Sequence, residues 1–466
     1  MTGFISSPSE EDAPSEIEIY RQITENAQNS KEKDRENILY NSEKNMAKKE
    51  ELELVLVNNK NPLKSSQIKS PKIISIISEV PNRIPLLLVE KVKIPKFINT
   101  DANTDDEMEP NNSADYSINH PHPQIVEDLS IIYQNDNPNV NEKYSKIISE
   151  LNRIPDLTFN VFNLSTFSDG NELLVVMSHL MHMYNFSETL QINRKKFKNY
   201  FYLVNKKYRK NPYHNSIHGC DVTQTVYFIL KTCNVETICN LNELELFSCF
   251  FASAIHDLDH PGNNNNYEIA VGSTLAISYN DKAVLENYHL AKAFSLMRKD
   301  SCDVFEKFSR TNYNLSRALI INMVLSTDMA NHFPDLNFTN NRLKSEDFNP
   351  SGTDKQILLN EVIHASDISN PIKPLDIYME WIKRVFCEFY NQGDKERELG
   401  FKLSYLCDRY TVNILDAQLG FIDGIVLPLF TTLSIAFPNM KMIVNLINNN
   451  KEEFKKKKEN GEKITI

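Results

Sequence analysis

From about residue 125 onward, the apolar residues of this chain recur at three- and four-residue intervals, which is the period of an α-helix. Patterns of this kind cover 171–184, 193–207, 218–232, 242–258, 283–299, 314–330, 353–367, 374–391 and 411–436. Strand and helix patterns do not alternate, and no fixed repeat period is present, which argues against a parallel α/β sheet and a solenoid. The sequence therefore predicts a compact, all-α, multi-helix domain.

The stretch 242–258 shows the pattern most clearly. Asn242 is placed to cap a helix, and Glu245 stands three residues later, which is the spacing of a capping box. The apolar side chains of one face are Leu244, Phe247, Phe251, Ala254 and Leu258. We expect this face to be buried in the core of the domain.

Residues 1–125 have a different composition, rich in Asn, Ser, Glu and Lys, with charged runs such as the acidic 101–109. Such a segment has too little apolar surface to offset the entropy lost on ordering, so we expect it to be largely disordered. Two short exceptions, 51–57 with strand-like alternation and 84–98 with an apolar run broken by prolines, are candidate docking motifs for protein partners. The predicted organisation is a disordered region at 1–125, a folded domain at 126–455 that would carry any catalytic site, and a charged tail at 456–466.

Charge and cysteine content restrict the classes of function. The formal net charge of −11 argues against binding along a nucleic-acid backbone, which usually requires a basic surface. The seven cysteines form no CxxC pair and are odd in number, which favours reduced, packed thiols over a disulfide framework.

Targeting signals are not evident in the sequence. The N-terminus lacks the basic start and apolar stretch of a secretory signal. The apolar run 419–437 contains Asp423 and Pro428, so we expect a buried core helix there and no membrane span. A cytoplasmic location is the resulting default.

Histidine and aspartate residues form the most informative pattern. His214 and His218, like His256 and His260, are four residues apart and so share one face of a helix, and Asp257 follows His256 directly. Imidazoles from two helices can converge on one divalent cation, while a carboxylate adds a hard oxygen ligand able to face a second cation. Asp367, at the end of another predicted helix, supplies a further carboxylate. A lone histidine is more often a packed or exposed side chain, so the prediction of a metal site rests on the combination.

The sequences at 213–222 (YHNSIHGCDV) and 256–262 (HDLDHPG) resemble the signatures of class I cyclic-nucleotide phosphodiesterases, whose catalytic domain has an all-α fold of the HD superfamily. Further motifs resembling that family follow in family order at 279–281, 285–287, 326–329, 366–371, 392–394 and 418–423. The resemblance covers about residues 150 to 440. It implies metal-dependent hydrolysis of the 3′ phosphoester bond of cAMP or cGMP to the nucleoside 5′-monophosphate, which ends a cyclic-nucleotide signal.

The resemblance also implies roles for individual residues. The expected ligands of a tightly held Zn²⁺ are His218, His256, Asp257 and Asp367. Asp257 is expected to face a second ion as well, Mg²⁺ or Mn²⁺, with His260 and Thr327 around its water shell. His214 matches the proton donor to the leaving oxygen, and Glu286 matches an acidic residue beside it.

The same resemblance implies a pocket for the purine base. Gln418 matches a glutamine that binds the base, and Phe421 matches an aromatic residue that stacks on it. The other expected substrate-binding residues are Tyr213, Asn370, Tyr378, Val385 and Phe389. From pattern alone, most of these side chains would be assigned to core packing. Asn370 favours cAMP slightly, although a cGMP-preferring branch shares that asparagine.

Two alternatives and one departure accompany this interpretation. The chain could be a related His-Asp phosphohydrolase with another phosphoester substrate, against which Gln418 and Phe421 argue. It could also be an inactive nucleotide-binding or scaffold protein, against which the intact ligand set argues.

Gly219 and Cys220 stand where the family commonly has two small residues, usually alanines. Glycine within a helix costs about 1 kcal/mol relative to alanine. A homodimer is left open.

Overall fold

The computed structural model describes residues 139–466, with side chains described from residue 142. Within these residues, every regular element is a helix and none is a β-strand. The prediction of an all-α fold is thereby confirmed. The predictions for 1–125, including the motifs at 51–57 and 84–98, lie outside the described residues.

The first half of the described chain contains eleven α-helices and one short 3₁₀ turn, Asp300–Cys302. In chain order the α-helices are α1 Asn139–Leu151, α2 Val161–Phe167, α3 Glu172–Met183, α4 Phe186–Thr189, α5 Arg194–Lys207, α6 Ser216–Thr232, α7 Val235–Ile238, α8 Glu243–Ile255, α9 Asn265–Ala270, α10 Thr274–Tyr279 and α11 Val284–Met297.

The second half continues with α12 Arg310–Leu325, α13 His332–Arg342, α14 Lys355–Asp367, α15 Leu375–Glu398, α16 Ile414–Phe421, α17 Leu427–Ala436 and α18 Lys441–Glu459. Short 3₁₀ turns lie at Met329–Asn331, Asn370–Ile372 and Pro438–Met440. Helix α18 extends past the predicted domain end at 455. Phe454 is buried in it, and the lysines that follow are exposed or paired with nearby glutamates.

Asparagine side chains fix where the two central helices begin. Asn215 accepts hydrogen bonds from the backbone N–H groups of Ile217 and His218 at the start of α6. Asn242 and Glu245 form the predicted capping box at the start of α8. Because such caps satisfy N–H groups that have no partner within the helix, they set the helical phase of the residues that follow.

Helices α6 and α8 form the centre of the core. Every residue of α6 from His218 to Leu230 is buried, as is every residue of α8 from Leu246 to Ile255. Helix α8 packs against α6 and α12, and α14 packs against the same two helices. All seven cysteines are free thiols and six are buried, as expected for packed, reduced side chains. The helices that carry the predicted metal ligands are therefore held on several sides.

The apolar run near residue 420 forms less regular structure than predicted. A π-helical turn, Ile422–Val426, separates α16 from α17. Pro428 follows it and has no N–H to donate to the preceding turn, which favours such a local change of helical pitch. Leu429, Phe430 and Leu433 are buried, whereas Ile435 is exposed. Among the described residues, the segment Ile414–Ala436 is the one helical stretch whose length and apolar composition would suffice to cross a bilayer.

Candidate metal centre and active site

Four of the predicted ligands converge at the centre of the fold. His218 comes from the first turn of α6, His256 and Asp257 follow the last turn of α8, and Asp367 ends α14. Asp367 Oδ1 lies 3.0 Å from His218 Nε2 and 3.2 Å from His256 Nε2. Asp257 Oδ2 lies 3.4 Å and 3.1 Å from the same two nitrogens. The sequence prediction that these side chains lie together agrees with this geometry.

The donor set of this cluster fits a divalent ion such as zinc. The two Nε2 atoms face each other at 3.2 Å, with carboxylate oxygens on either side. His256 Nδ1 lies 2.8 Å from the carbonyl oxygen of Ser253, a contact that holds the proton on Nδ1 and leaves Nε2 as a lone-pair donor. One ligand atom from each of the four residues lies within 4.8 Å of the others. Two imidazoles and two carboxylates in one small space match the ligand types that zinc prefers.

A second group shares Asp257. Its other oxygen, Oδ1, lies 3.7 Å from Nε2 of His289 on α11, and His260 completes a group whose ligand atoms lie within 4.8 Å of one another. His289 Nε2 has no hydrogen-bond partner among the described residues, while its Nδ1 contacts the carbonyl oxygen of Leu258 at 2.7 Å. The sequence interpretation missed His289. A signal was present, because it stands three residues after Glu286 on the same helix.

His214 is held by a carboxylate that the sequence interpretation did not identify. Its Nδ1 lies 2.5 Å from Oε1 of Glu388 on α15. The other oxygen, Oε2, accepts hydrogen bonds from the backbone N–H groups of Tyr213 and His214, at 3.0 and 3.1 Å. Glu286 was expected beside His214, but the structure gives that position to Glu388. The carboxylate of Glu286 instead accepts hydrogen bonds from the amide of Asn265, at 3.2 and 3.1 Å.

The electrostatics of this pair favour a charged imidazole. Burial lowers the pKa of His214, but the carboxylates of Glu388 and Asp257 outweigh it and raise that pKa to about 9. Burial also raises the pKa of Glu388, and the contact with His214 reverses this and brings it to about 2. The pair is therefore imidazolium and carboxylate at neutral pH. The Nε2 of His214 lies 4.0 Å from Asp257 Oδ2, so this nitrogen is on the side of the ring next to the cluster.

The remaining residues predicted around the metals occupy different settings. The ring of His260 stacks on that of His214 with 4.0 Å between ring centroids, and burial together with the neighbouring imidazolium lowers the pKa of His260. Thr327 is buried, and its hydroxyl donates to the carbonyl oxygen of Val324 at 2.8 Å. Burial raises the pKa of Glu286 to about 7, and Asp328 adds to that shift.

The residues predicted for base binding form two hydrogen-bonded pairs and a set of half-buried apolar side chains. The hydroxyl of Tyr378 donates to Gln418 Oε1 at 2.7 Å, and the hydroxyl of Tyr213 donates to Asn370 Oδ1 at 2.9 Å. The half-buried side chains, all packed against the core, are Val385, Phe389 and Phe421.

The glycine beside the ligand His218 has a packing reason. A Cβ atom at Gly219 would lie 2.8 Å from the hydroxyl oxygen of Tyr208. That hydroxyl donates to the carbonyl oxygen of Ala254 at 3.1 Å, next to the end of α8. Gly219 therefore gives room to a tyrosine that joins the two central helices, at the cost in helix propensity noted from the sequence.

Comparison with protein families gives one match over the site. A family model described as 3′5′-cyclic nucleotide phosphodiesterase matches residues 213–447. The chain is 36% identical over 319 residues to a probable 3′,5′-cyclic-AMP phosphodiesterase, pde-4, of Caenorhabditis elegans, covering 66% of this chain and 46% of the relative. It is 33% identical to the 3′,5′-cyclic-AMP phosphodiesterase 4C of Rattus norvegicus, over 67% of this chain and 59% of the relative. The chain thus spans about half the length of these relatives.

Solved structures match the same part of the chain. The phosphodiesterase domain of the RhoPDE fusion protein from the choanoflagellate Salpingoeca rosetta superposes with a TM-score of 0.60 at 29% identity. The match covers 65% of this chain and 94% of that domain. A second structure of a rhodopsin phosphodiesterase domain from the same organism gives a TM-score of 0.59, also at 29% identity, over 65% of this chain and 91% of that one.

Proposed function

Because the chain belongs to the 3′5′-cyclic nucleotide phosphodiesterase family, we propose that it hydrolyses the 3′ phosphoester bond of cAMP or cGMP to the nucleoside 5′-monophosphate. The observation that carries the proposal is the paired His214 and Glu388, whose imidazole faces the cluster of two histidines and two aspartates. Hydrolysis of a phosphoester needs positive charge beside the phosphate oxygens, which metal ions held by the cluster would supply, and a proton for the departing oxygen, which His214 would supply.

The proposal includes two divalent ions. Zn²⁺ would be held by His218, His256, Asp257 and Asp367, and Mg²⁺ or Mn²⁺ by Asp257 on the side facing His260 and His289. When bound, such ions supply positive charge for the phosphate oxygens and lower the pKa of a water molecule. Zinc suits the mixed nitrogen and oxygen donors of the first group, whereas at the second group Asp257 offers the hard carboxylate oxygen that Mg²⁺ or Mn²⁺ prefers.

The role of the chain's own residues follows from the hydrogen bonds of His214. Its Nδ1 proton is committed to Glu388, so the proton available for donation is the one on Nε2. Glu388 keeps the imidazole charged and, by accepting the N–H groups of Tyr213 and His214, also fixes the backbone that carries it. A donor held in one orientation and one protonation state can protonate the 3′ oxygen as its bond to phosphorus breaks.

Base recognition is assigned to Gln418 and Phe421. The Tyr378 hydroxyl holds Gln418 Oε1, which leaves the amide hydrogens of Gln418 to donate to an acceptor on the purine. A preference for cAMP is supported by Asn370 and by the cyclic-AMP activity in the names of two relatives. The catalytic domain at 126–455, a cytoplasmic location, partners of the N-terminal region and a homodimer stay predictions from the sequence.

The test is hydrolysis of cAMP and of cGMP, measured separately with the purified protein and magnesium by release of the 5′-monophosphate. His214→Ala should retain zinc, measured by elemental analysis, and lose about 10²-fold or more in turnover. His182→Ala changes a half-buried histidine on α3 that contacts Arg194; it is the matched control and should keep full turnover. If zinc is bound but neither nucleotide is cleaved, the substrate is another phosphoester or the protein is a binding module.

A further inference from the structure

One face of α6 contacts the end of α14 and the chain that follows it. His218, Asp221 and Thr225 are spaced by three and four residues, so they line the same side of the helix. Each has a partner in 367–373: His218 Nε2 lies 3.0 Å from Asp367, Asp221 Oδ1 lies 2.8 Å from Lys373 Nζ, and the Thr225 and Ser369 hydroxyl oxygens are 3.5 Å apart. The first of these contacts belongs to the proposed zinc centre. The other two lie outside it.

Lys373 is unusual for a lysine because it is almost completely buried. Its side chain has no exposed surface, and that of Asp221 is 2% exposed. The ammonium group donates to Asp221 Oδ1 at 2.8 Å and to Gln224 Oε1 at 2.9 Å. A buried lysine is rare without partners of this kind, and a buried ion pair adds little net stability over an apolar pair of similar volume.

Lys373 and its second acceptor, Gln224, are each fixed by further contacts. The amide of Gln224 donates to the carbonyl oxygens of Ile154 and Asp156, at 2.9 and 3.1 Å. On the other side, Asn450 of α18 donates to the carbonyl oxygen of Lys373 at 2.9 Å. The ion pair therefore sits in a network of directional bonds that leaves little freedom for α6 to slide against the 367–373 segment.

We propose that Lys373 and Asp221 are positioning residues for the metal centre: their ion pair sets the register of α6 against the 367–373 segment and so holds His218 and Asp367 at ligand distance. The proposal rests on the proposed zinc site. Asp221 is one helical turn from His218, and Lys373 is six residues from Asp367, with one 3₁₀ turn between them, so a shift of either partner reaches a ligand through a short stretch of chain. An apolar pair would fill the same space without fixing the register, because apolar contacts have no preferred direction.

The first experiment compares zinc affinity in the full chain. The wild type and Lys373→Met are freed of metal and titrated with zinc against a chelating dye. We expect Lys373→Met to bind zinc about 10-fold or more weakly, the usual effect of removing a group that supports a ligand. Asn205→Ala is the control: Asn205 is also buried and bonds to Leu173 and Gly170, but it joins α3 and α5, which carry no ligand.

The possible outcomes distinguish three cases: the ion pair positions the zinc ligands, the substitution only destabilises the fold, or the protein has no zinc site. Equal zinc affinity in Lys373→Met and the wild type would overturn the proposal, as would an equal loss in Asn205→Ala. If the wild type itself binds no zinc, the metal centre is what fails.

A second variant covers the case in which Lys373→Met leaves the Asp221 charge buried and does not fold. The double substitution Asp221→Leu with Lys373→Met removes both charges and is expected to fold, yet to bind zinc about 10-fold more weakly. Wild-type affinity in the double variant would show that the ion pair has no part in placing the ligands.

Discussion

The three contacts that Glu388 makes with His214 and the backbone of Tyr213 make it the most informative side chain to change. Glu388→Gln keeps its shape and can still accept the backbone N–H groups, but it removes the charge that keeps His214 protonated. We expect kcat to fall about 10²-fold, measured at saturating substrate, with zinc content unchanged. Glu380→Gln, on the same helix and paired with Arg384, should stay near the wild-type rate. A twofold effect or less in Glu388→Gln would contradict this role.

Glu361 on α14 should make stability depend on pH. Burial raises its pKa from 4.5 to about 7, although the hydroxyl of Thr339 donates to it. Between these values the folded state holds a proton that the unfolded chain has lost, so stability falls as pH rises, by about 3 kcal/mol at most.

Glu361→Gln keeps an acceptor for Thr339 and cannot ionise. In urea unfolding, the variant should be more stable than the wild type near pH 8 and similar to it near pH 4.5, with the difference growing in between. A wild type and variant that lose stability in parallel across this range would show that the carboxyl group of Glu361 is not the cause.

At the scale of single residues, the sequence predicted those site residues that stand close together along the chain. The pairs His214 with His218 and His256 with Asp257 follow from helical periodicity, and the structure brings the metal ligands among them together with Asp367. Glu388 could not be found this way, because it is separated from His214 by 174 residues and no local pattern distinguishes it from other glutamates on its helix.

At the scale of elements, helix boundaries were predictable where a polar cap or a breaker fixes them. The stretch 353–367 forms Lys355–Asp367, and 242–258 forms Glu243–Ile255 with its capping box. The stretch 411–436 was predicted as one helix but contains the π turn Ile422–Val426. That turn depends on how the helix packs against its neighbours, which sequence periodicity does not encode.

The backbone at Gly393 on α15 passes close to the backbone at Cys407, and this contact helps to set the position of the chain after α15. Sequence periodicity does not predict such a contact. A Cβ atom at Gly393 would lie 1.9 Å from the carbonyl oxygen of Cys407, so Gly393→Ala must displace one of these segments. We expect a loss of about 1–3 kcal/mol in the free energy of unfolding, measured with urea. Gly420→Ala, on α16 with no atom within 4 Å of its added Cβ, should be neutral or stabilise by about 0.5–1 kcal/mol. Equal effects of the two substitutions would mean that the approach at Gly393 is relaxed in solution.

At the scale of the whole molecule, the family match and the folded unit do not begin at the same place. The match starts at Tyr213, which is also the first of the predicted site residues along the chain. The core starts earlier, because Gln224 of α6 bonds to carbonyl groups at 154 and 156, and Ser216 donates to Glu172 at 2.5 Å. Helices α3 and α2 both pack against α6. The helices before residue 213 therefore cover the helix that carries His218.

Two fragments test whether the helices before residue 213 are needed for the fold and for the metal centre. Fragment 126–466 retains α1 to α18, so it should fold, bind zinc and hydrolyse cyclic nucleotide with a kcat within about twofold of the full chain. Fragment 213–466 keeps every predicted site residue but exposes the parts of α6 and α8 that pack against α2, α3 and the ring of Phe201, so it should be insoluble or largely unfolded. Helix content by circular dichroism, zinc content and turnover give the comparison. If 213–466 is folded and active, α1 to α5 are dispensable for the metal centre; if 126–466 loses zinc, residues 1–125 contribute to it.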